Sequence, residues 1–130
     1  MSREPRTEQP RAHGMDDLVK AVLAFRDERD WRQFHNPKDL AISISLEAAE
    51  LLESFQWKTP AEAAVFLDSA ENRRRVADEM ADVLILLVSM ADVIQVDLVE
   101  AACRKLVENA RKYPVDRAKG NARKYDALGS

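Results

Sequence analysis

Apolar residues recur at three- and four-residue spacing along most of this chain, and nowhere do they alternate over a convincing run, so the pattern predicts helices without a sheet. Leu18, Val22 and Phe25 mark a first helix from Met15 to about Arg29, followed by a loop from Asp30 to Asn36. Asn36-Pro37 offers an N-cap and a first-turn proline for a second helix running to about Phe55. After a short connection, Gln56 to Thr59, the run Thr59-Pro60-Ala61-Glu62 has capping-box spacing and opens a brief third helix to about Ser69. A long fourth helix covers roughly Asn72 to Val96. Its stretch from Ala81 to Ile94 is mostly apolar yet too short for a bilayer and interrupted by Asp82 and Asp92, so it reads as a buried central helix. Asp97 with Glu100 repeats the cap signature for a fifth helix through Leu98, Val99, Ala102 and Leu106, which Tyr113-Pro114 stops. A basic tail, Arg117 to Lys124, follows.

Two acidic pairs break the apolar stripes. Glu47 is in register with Leu40, Ile44 and Leu51, and three residues on stands Glu50; Glu79 and Asp82 are in register with Val76, Val83, Leu86 and Met90. Ionised groups on an apolar face are costly unless something positive meets them. Antiparallel packing of the second and fourth helices would bring Glu47, Glu50, Glu79 and Asp82 together as an oxygen-only site for a hard cation. The bland alternative is a solvated face, the usual meaning of acidic residues at this spacing, and it is the reading given to Glu53 and Asp78. Oxygen ligands select Mg²⁺ or Mn²⁺, and an ion that retains exchangeable waters suits a phosphate-bearing substrate. A di-iron bundle would need Glu-x-x-His on two helices, and neither His13 nor His35 lies three residues after a glutamate.

Composition narrows the picture without deciding it. A chain of 130 residues suits one domain, 15–126, between a polar, proline-containing N-terminal tail over 1–14, expected to be disordered, and a short C-terminal tail over 127–130. With only 3 Gly the fold class is all-α, a four- to five-helix bundle completed by oligomerisation, since so apolar a fourth helix is hard to cover within one subunit. A net charge of −3 argues against a general nucleic-acid binder. No apolar leader opens the sequence, so the protein is expected to stay in the cytoplasm with no membrane role. The single Cys103 falls in a helical pattern and is expected to be a buried, inert thiol.

Glu47-x-x-Glu50 followed at a distance by Glu79-x-x-Asp82 resembles the metal-binding signature of the MazG-like all-α nucleoside triphosphate pyrophosphohydrolases. The tracts from Arg29 to Pro37 (with Trp31-Arg32-Gln33-Phe34-His35), from Glu50 to Thr59 (with Phe55-Gln56-Trp57-Lys58), and Asp82-Val83-Leu84-Ile85 resemble the dCTP pyrophosphatase branch in particular. So do Val96-Asp97-Leu98, Asn109 with Lys112-Tyr113-Pro114, and Arg123-Lys124-Tyr125, so the likeness covers about Met15 to Asp126.

The resemblance implies Mg²⁺-dependent cleavage between the α and β phosphates of a nucleoside triphosphate, most of all dCTP and its 5-modified forms, with Glu47, Glu50, Glu79 and Asp82 as metal ligands and catalytic residues. One of these, or Glu53, would orient the attacking water. It implies base recognition by Trp31 and Trp57, each of which is otherwise a core or interface anchor, with His35 and Gln33 as weaker neighbours of sugar or phosphate. Lys105, Asn109, Lys112, Arg123 and Lys124, with Arg111, are candidates to meet the triphosphate, although basic residues near a helix C-terminus also suit its dipole. A homodimer or homotetramer is implied, with the C-terminal segment of one subunit able to reach the metal site of another. Leu86 and Val22 depart from tyrosine and histidine found in relatives and bear on substrate choice, and Leu46 replaces a further glutamate of the broader family. The readings left open are a catalytically silent helical module that binds nucleotide or protein, and a purely structural bundle.

Overall fold

Four of the helices begin where a short polar side chain can take a backbone N–H that the helix itself leaves free. The computed structural model describes residues 14–127, and every regular element among them is helical. The first helix, α1 (Met15–Glu28), is followed by a single 3-10 turn at Arg32–Phe34. In α2 (Pro37–Glu53) the Asn36 Oδ1 accepts from the Asp39 N–H at 3.0 Å, and Pro37 occupies the first turn. At α3 (Pro60–Leu67) the capping box is complete: Thr59 Oγ1 accepts from the Glu62 N–H and Glu62 Oε1 accepts from the Thr59 N–H. Asp97 Oδ1 caps α5 (Leu98–Lys112) through the Glu100 N–H at 2.9 Å. Each such cap contributes about 1 kcal/mol.

The fourth helix, α4 (Ala70–Val93), departs from expectation at both ends. It starts two residues early because Ser69 is the cap, accepting from the N–H of Asn72, whose own side chain is turned back to the Phe66 carbonyl. It stops at Val93, short of Val96, because Gln95 takes a left-handed φ of 58° and folds its side-chain amide onto the Asp92 carbonyl. The segment after Tyr113 is likewise no plain tail: Pro114 leads into a short α6 (Val115–Ala118), Gly120 at φ 82° reverses the chain, and a 3-10 turn at Tyr125–Ala127 brings the Tyr125 ring edge-on to Tyr113 at 6.3 Å. The tails expected over 1–14 and 127–130 lie, apart from Gly14 and Ala127, outside the described residues.

The chain forms two compact units, one through Gln95 and one from Val96 onward. In the first, α4 is the element against which α1, α2 and α3 all pack, α2 most extensively. Val22, Leu40, Val76, Val88 and Ala91 are buried, Val88 most completely. The expectation of a wholly buried central helix is only half met: Val88, Ser89 and Ala91 are covered, whereas Met80 (58%) and Ile85 (40%) stay open to solvent. Three shorter helices cover one side of a 24-residue helix and leave the rest of its circumference bare.

One charged residue sits in this core. Arg26, four residues after Val22 on the inward face of α1, is buried and donates to Asp92 Oδ2 of α4 at 2.6 Å and to Asp27 Oδ1 at 2.9 Å. In the second unit no residue of α5 is buried, and Cys103 is exposed, which corrects the expectation of a buried thiol. Among its described residues that unit holds only α6 and one 3-10 turn beside α5, too little chain to cover its apolar stripe. No helix among the described residues is long and apolar enough to cross a membrane.

Candidate active site

Packing of α2 on α4 turns the two acidic pairs toward each other. One carboxylate oxygen from each of Glu47, Glu50 and Glu79 lies within 4.8 Å of the other two. Asp82, exposed as Glu50 is, lies outside that set of three, but its charge bears on both Glu47 and Glu79. The Oε2 atoms of Glu47 and Glu79 are closed off from solvent with no hydrogen-bond donor on them, an arrangement that costs free energy unless a proton or a cation supplies what is missing.

Titration reflects the same crowding. The Glu47 carboxyl is held above the ordinary glutamate range first by a hydrogen bond with Glu50, then by burial and by repulsion from Glu50, Asp82 and Glu79. Glu79 is raised first by burial, then by its hydrogen bond with Glu50 and the charges of Glu50, Asp82 and Glu53. A divalent cation would offset the repulsion among these carboxylates and give the enclosed oxygens a partner, and an all-oxygen set fits a hard ion. The donor set therefore suits the expected metal by its chemistry.

A groove of about 520 Å³ opens beside the cluster, lined by Glu50, Glu53, Ser54, Lys58, Phe66, Arg75 and Glu79. Glu53, read from the sequence as a solvated residue, is exposed but on the wall of this groove, while Asp78 is simply exposed. Arg75 was not named by the sequence reading, and Lys58 entered it only within the Phe55-Gln56-Trp57-Lys58 tract, with no role assigned. The available signal was spacing: Lys58 is four residues after Ser54, and Arg75 is four residues before Glu79 and so on its helical face.

The loop tryptophans have different settings. Asp30, at φ 54°, lets the chain end α1 in a Schellman turn, with the Asp30 N–H on the Asp27 carbonyl and the Trp31 N–H on the Arg26 carbonyl at 3.1 Å. The apolar contact that accompanies such turns is Trp31 against Phe25, edge to face at 5.7 Å, and the indole remains 45% exposed. Trp57, in the turn after α2, is 86% exposed and makes no ring contact among the described residues. His35 is half-buried, its Nδ1 enclosed without a partner and its pKa lowered by burial and by the charge of Arg26; the cap of α2 is Asn36.

The remaining candidates belong to the second unit. Lys105 and Lys112 both lie 3.4 Å from Glu108, whose carboxyl they hold below its usual range, and the Lys112 ammonium is also over the Tyr125 ring at 4.9 Å. Asn109 contributes its carbonyl to the Tyr113 N–H, and the Arg123 N–H donates to Asn121 Oδ1. Arg111, Arg123 and Lys124 are exposed.

Known proteins carry the same architecture. The chain is 39% identical over 114 residues to dCTP pyrophosphatase 1 of Bos taurus, an alignment covering 88% of this chain and 68% of the bovine protein. The Homo sapiens protein of that name is 40% identical over 114 residues, covering 88% of this chain and 67% of the human one. The crystal structure of a pyrophosphatase from Archaeoglobus fulgidus superposes with a TM-score of 0.72 at 42% identity, over 83% of this chain and 99% of that one. A model of the MazG-like family matches residues 42–128, a span that takes in all four acidic residues, and with these relatives it places the chain in the MazG-like family.

Proposed function

We propose that this protein hydrolyses a nucleoside triphosphate, dCTP foremost, between its α and β phosphates, giving dCMP and pyrophosphate. The observation that carries this reading is the convergence of Glu47, Glu50 and Glu79, with two buried carboxylate oxygens that nothing in the described residues satisfies. The relatives bearing the name dCTP pyrophosphatase supply the substrate class. In the proposal Glu47, Glu50, Glu79 and Asp82 hold Mg²⁺ or Mn²⁺, which when bound supplies charge neutralisation at the phosphates. Hydrolysis at phosphorus asks mainly for positioning and electrostatic stabilisation rather than covalent help from the protein, and that is what a rigid pair of helices presenting carboxylates provides.

Residues outside the metal set divide the remaining work. Glu53, on the wall but outside the set of three, orients the attacking water and accepts its proton. Trp57, with its indole face free, gives the base a stacking surface worth about 1–3 kcal/mol, and Trp31, braced by Phe25, gives a second. The experiment is a product assay across the nucleoside triphosphates with Mg²⁺ present or chelated. dCMP and pyrophosphate are expected, only with metal, and with a raised KM for dCTP in Trp57→Ala and a reduced kcat in Glu53→Gln. Orthophosphate with dCDP as the products would refute the reading.

The proposal includes a homodimer or homotetramer as the working form. Ile42, Leu46, Met80 and Ile85 leave α2 and α4 with open apolar surface that a second subunit would cover. Sedimentation is expected to show a dimer or larger; a fully active monomer would contradict it.

A further inference from the structure

Three of the groove's lining residues are glutamates, Glu50, Glu53 and Glu79, yet the two cations beside them are not tied to any of them. No ion pair among the described residues involves Lys58 or Arg75. Lys58 is nonetheless fixed in place. Its ammonium donates to the Ser54 carbonyl at 2.6 Å and lies 4.4 Å over the Phe66 ring, which is itself held edge-on by Phe55. One of its three N–H donors is used, so the others remain available. The Arg75 side chain engages no hydrogen bond among the described residues, and its planar fork of donors matches the spacing of two oxygens on a phosphate.

We propose that Lys58 and Arg75 form the polyphosphate-binding wall of this groove and hold the pyrophosphate end of the nucleotide, a role that rests on the hydrolase reading above. Charge supports it. A triphosphate carries more negative charge than one divalent cation offsets, and the surplus falls on the part that leaves, where cations aimed at developing charge do most for the rate. When water attacks the α-phosphorus, the bond from that phosphorus to the bridging oxygen breaks and its electron pair stays with the departing pyrophosphate. Lys58 and Arg75, on the lining of the same groove as Glu50 and Glu79, stabilise that group. The volume, about 520 Å³, is within the range of small-molecule sites.

The test is inhibition by each product, with Mg²⁺ present, for Arg75→Ala, Lys58→Met and Lys58→Arg. Methionine keeps an unbranched stem of similar length and removes the charge together with the donor to the Ser54 carbonyl, a donor that Lys58→Arg retains. Both charge-removing variants are expected to weaken pyrophosphate inhibition about tenfold, equivalent to about 1.4 kcal/mol. Inhibition by dCMP should stay within about twofold, the rise in melting temperature given by Mg²⁺ alone should persist, and Lys58→Arg should recover most of the loss. Unchanged pyrophosphate inhibition, or equal weakening of both products, would overturn the proposal. Calorimetric titration with pyrophosphate and Mg²⁺ separates it from the hydrolase reading: a parent that binds pyrophosphate through these two residues but turns over no triphosphate supports the wall and refutes the hydrolase, and a parent without pyrophosphate affinity refutes the wall.

Discussion

Glu47→Gln, Glu50→Gln, Glu79→Gln and Asp82→Asn are each expected to abolish most pyrophosphate release and to shrink the rise in melting temperature caused by Mg²⁺, without unfolding the metal-free protein. The Oε2 atoms of Glu47 and Glu79 are enclosed without donors, and four carboxylates press on one another across α2 and α4. Removing one charge lessens repulsion, so the metal-free variants should melt at the parent temperature or above, with the largest gain at Glu79, whose shift owes most to burial. A cation that binds only the folded form stabilises it by about 2.7 kcal/mol at about 100 times Kd, a shift of several degrees for a domain of this size. Differential scanning fluorimetry with and without Mg²⁺ reads this directly. An equal Mg²⁺ shift in the parent and in Glu79→Gln would place the metal elsewhere.

The pH dependence has a definite sign. Because the folded-state pKa values of Glu47 and Glu79 are raised, the folded protein binds more protons than the unfolded chain between the ordinary glutamate value, about 4.3, and the raised values. Metal-free stability therefore falls as pH rises through that window. Stabilisation by Mg²⁺ grows over the same window, since the ion competes with those protons. In Glu79→Gln the metal-free decline should be shallower.

Local chemistry carried most of what the sequence revealed. Asn36, Thr59 with Glu62, and Asp97 are caps whose signal lies within four residues, and the structure uses each as read. The acidic cluster was legible for a related reason: carboxylates on an apolar stripe declare a conflict that only tertiary packing resolves, and α2 on α4 resolves it by bringing three of them within 4.8 Å. Features that depend on what lies opposite a helix were less visible. Burial along Ala81 to Ile94 turned on how much chain was available to cover it, and Cys103 was misjudged for the same reason. Arg75 carries no mark of its own in the sequence, and Lys58 shows there only as the end of the Phe55-Gln56-Trp57-Lys58 tract; the two acquire a shared meaning only when the turn after α2 and the first half of α4 place them on one groove. Trp57 was found through resemblance, and its 86% exposure is consistent with a platform rather than an anchor.

Asp92→Ala is expected to be the most destabilising single change in the first unit outside the apolar core, costing about 3 kcal/mol and lowering the melting temperature by on the order of 10 °C. Arg26 is 4% exposed, and its guanidinium reaches Asp92 at 2.6 Å and Asp27 at 2.9 Å. Asp27 is 55% exposed and adjacent on the same helix, so it holds the charge only loosely; Asp92, at 24%, is the partner that ties α1 to α4. Removing Asp92 leaves a buried cation without its better counter-charge, and burial of an uncompensated charge costs more than the pair contributes when intact. The matching double variant, Arg26→Leu with Asp92→Leu, removes both charges and leaves apolar groups at a site already bordered by Val22 and Val88, so it should regain most of the loss. Chemical denaturation of the parent, Arg26→Leu, Asp92→Leu and the double variant measures this as a cycle. An Asp92→Ala protein that unfolds at the parent midpoint would mean that Asp27 and solvent already satisfy Arg26, and that the link between α1 and α4 rests on apolar packing alone.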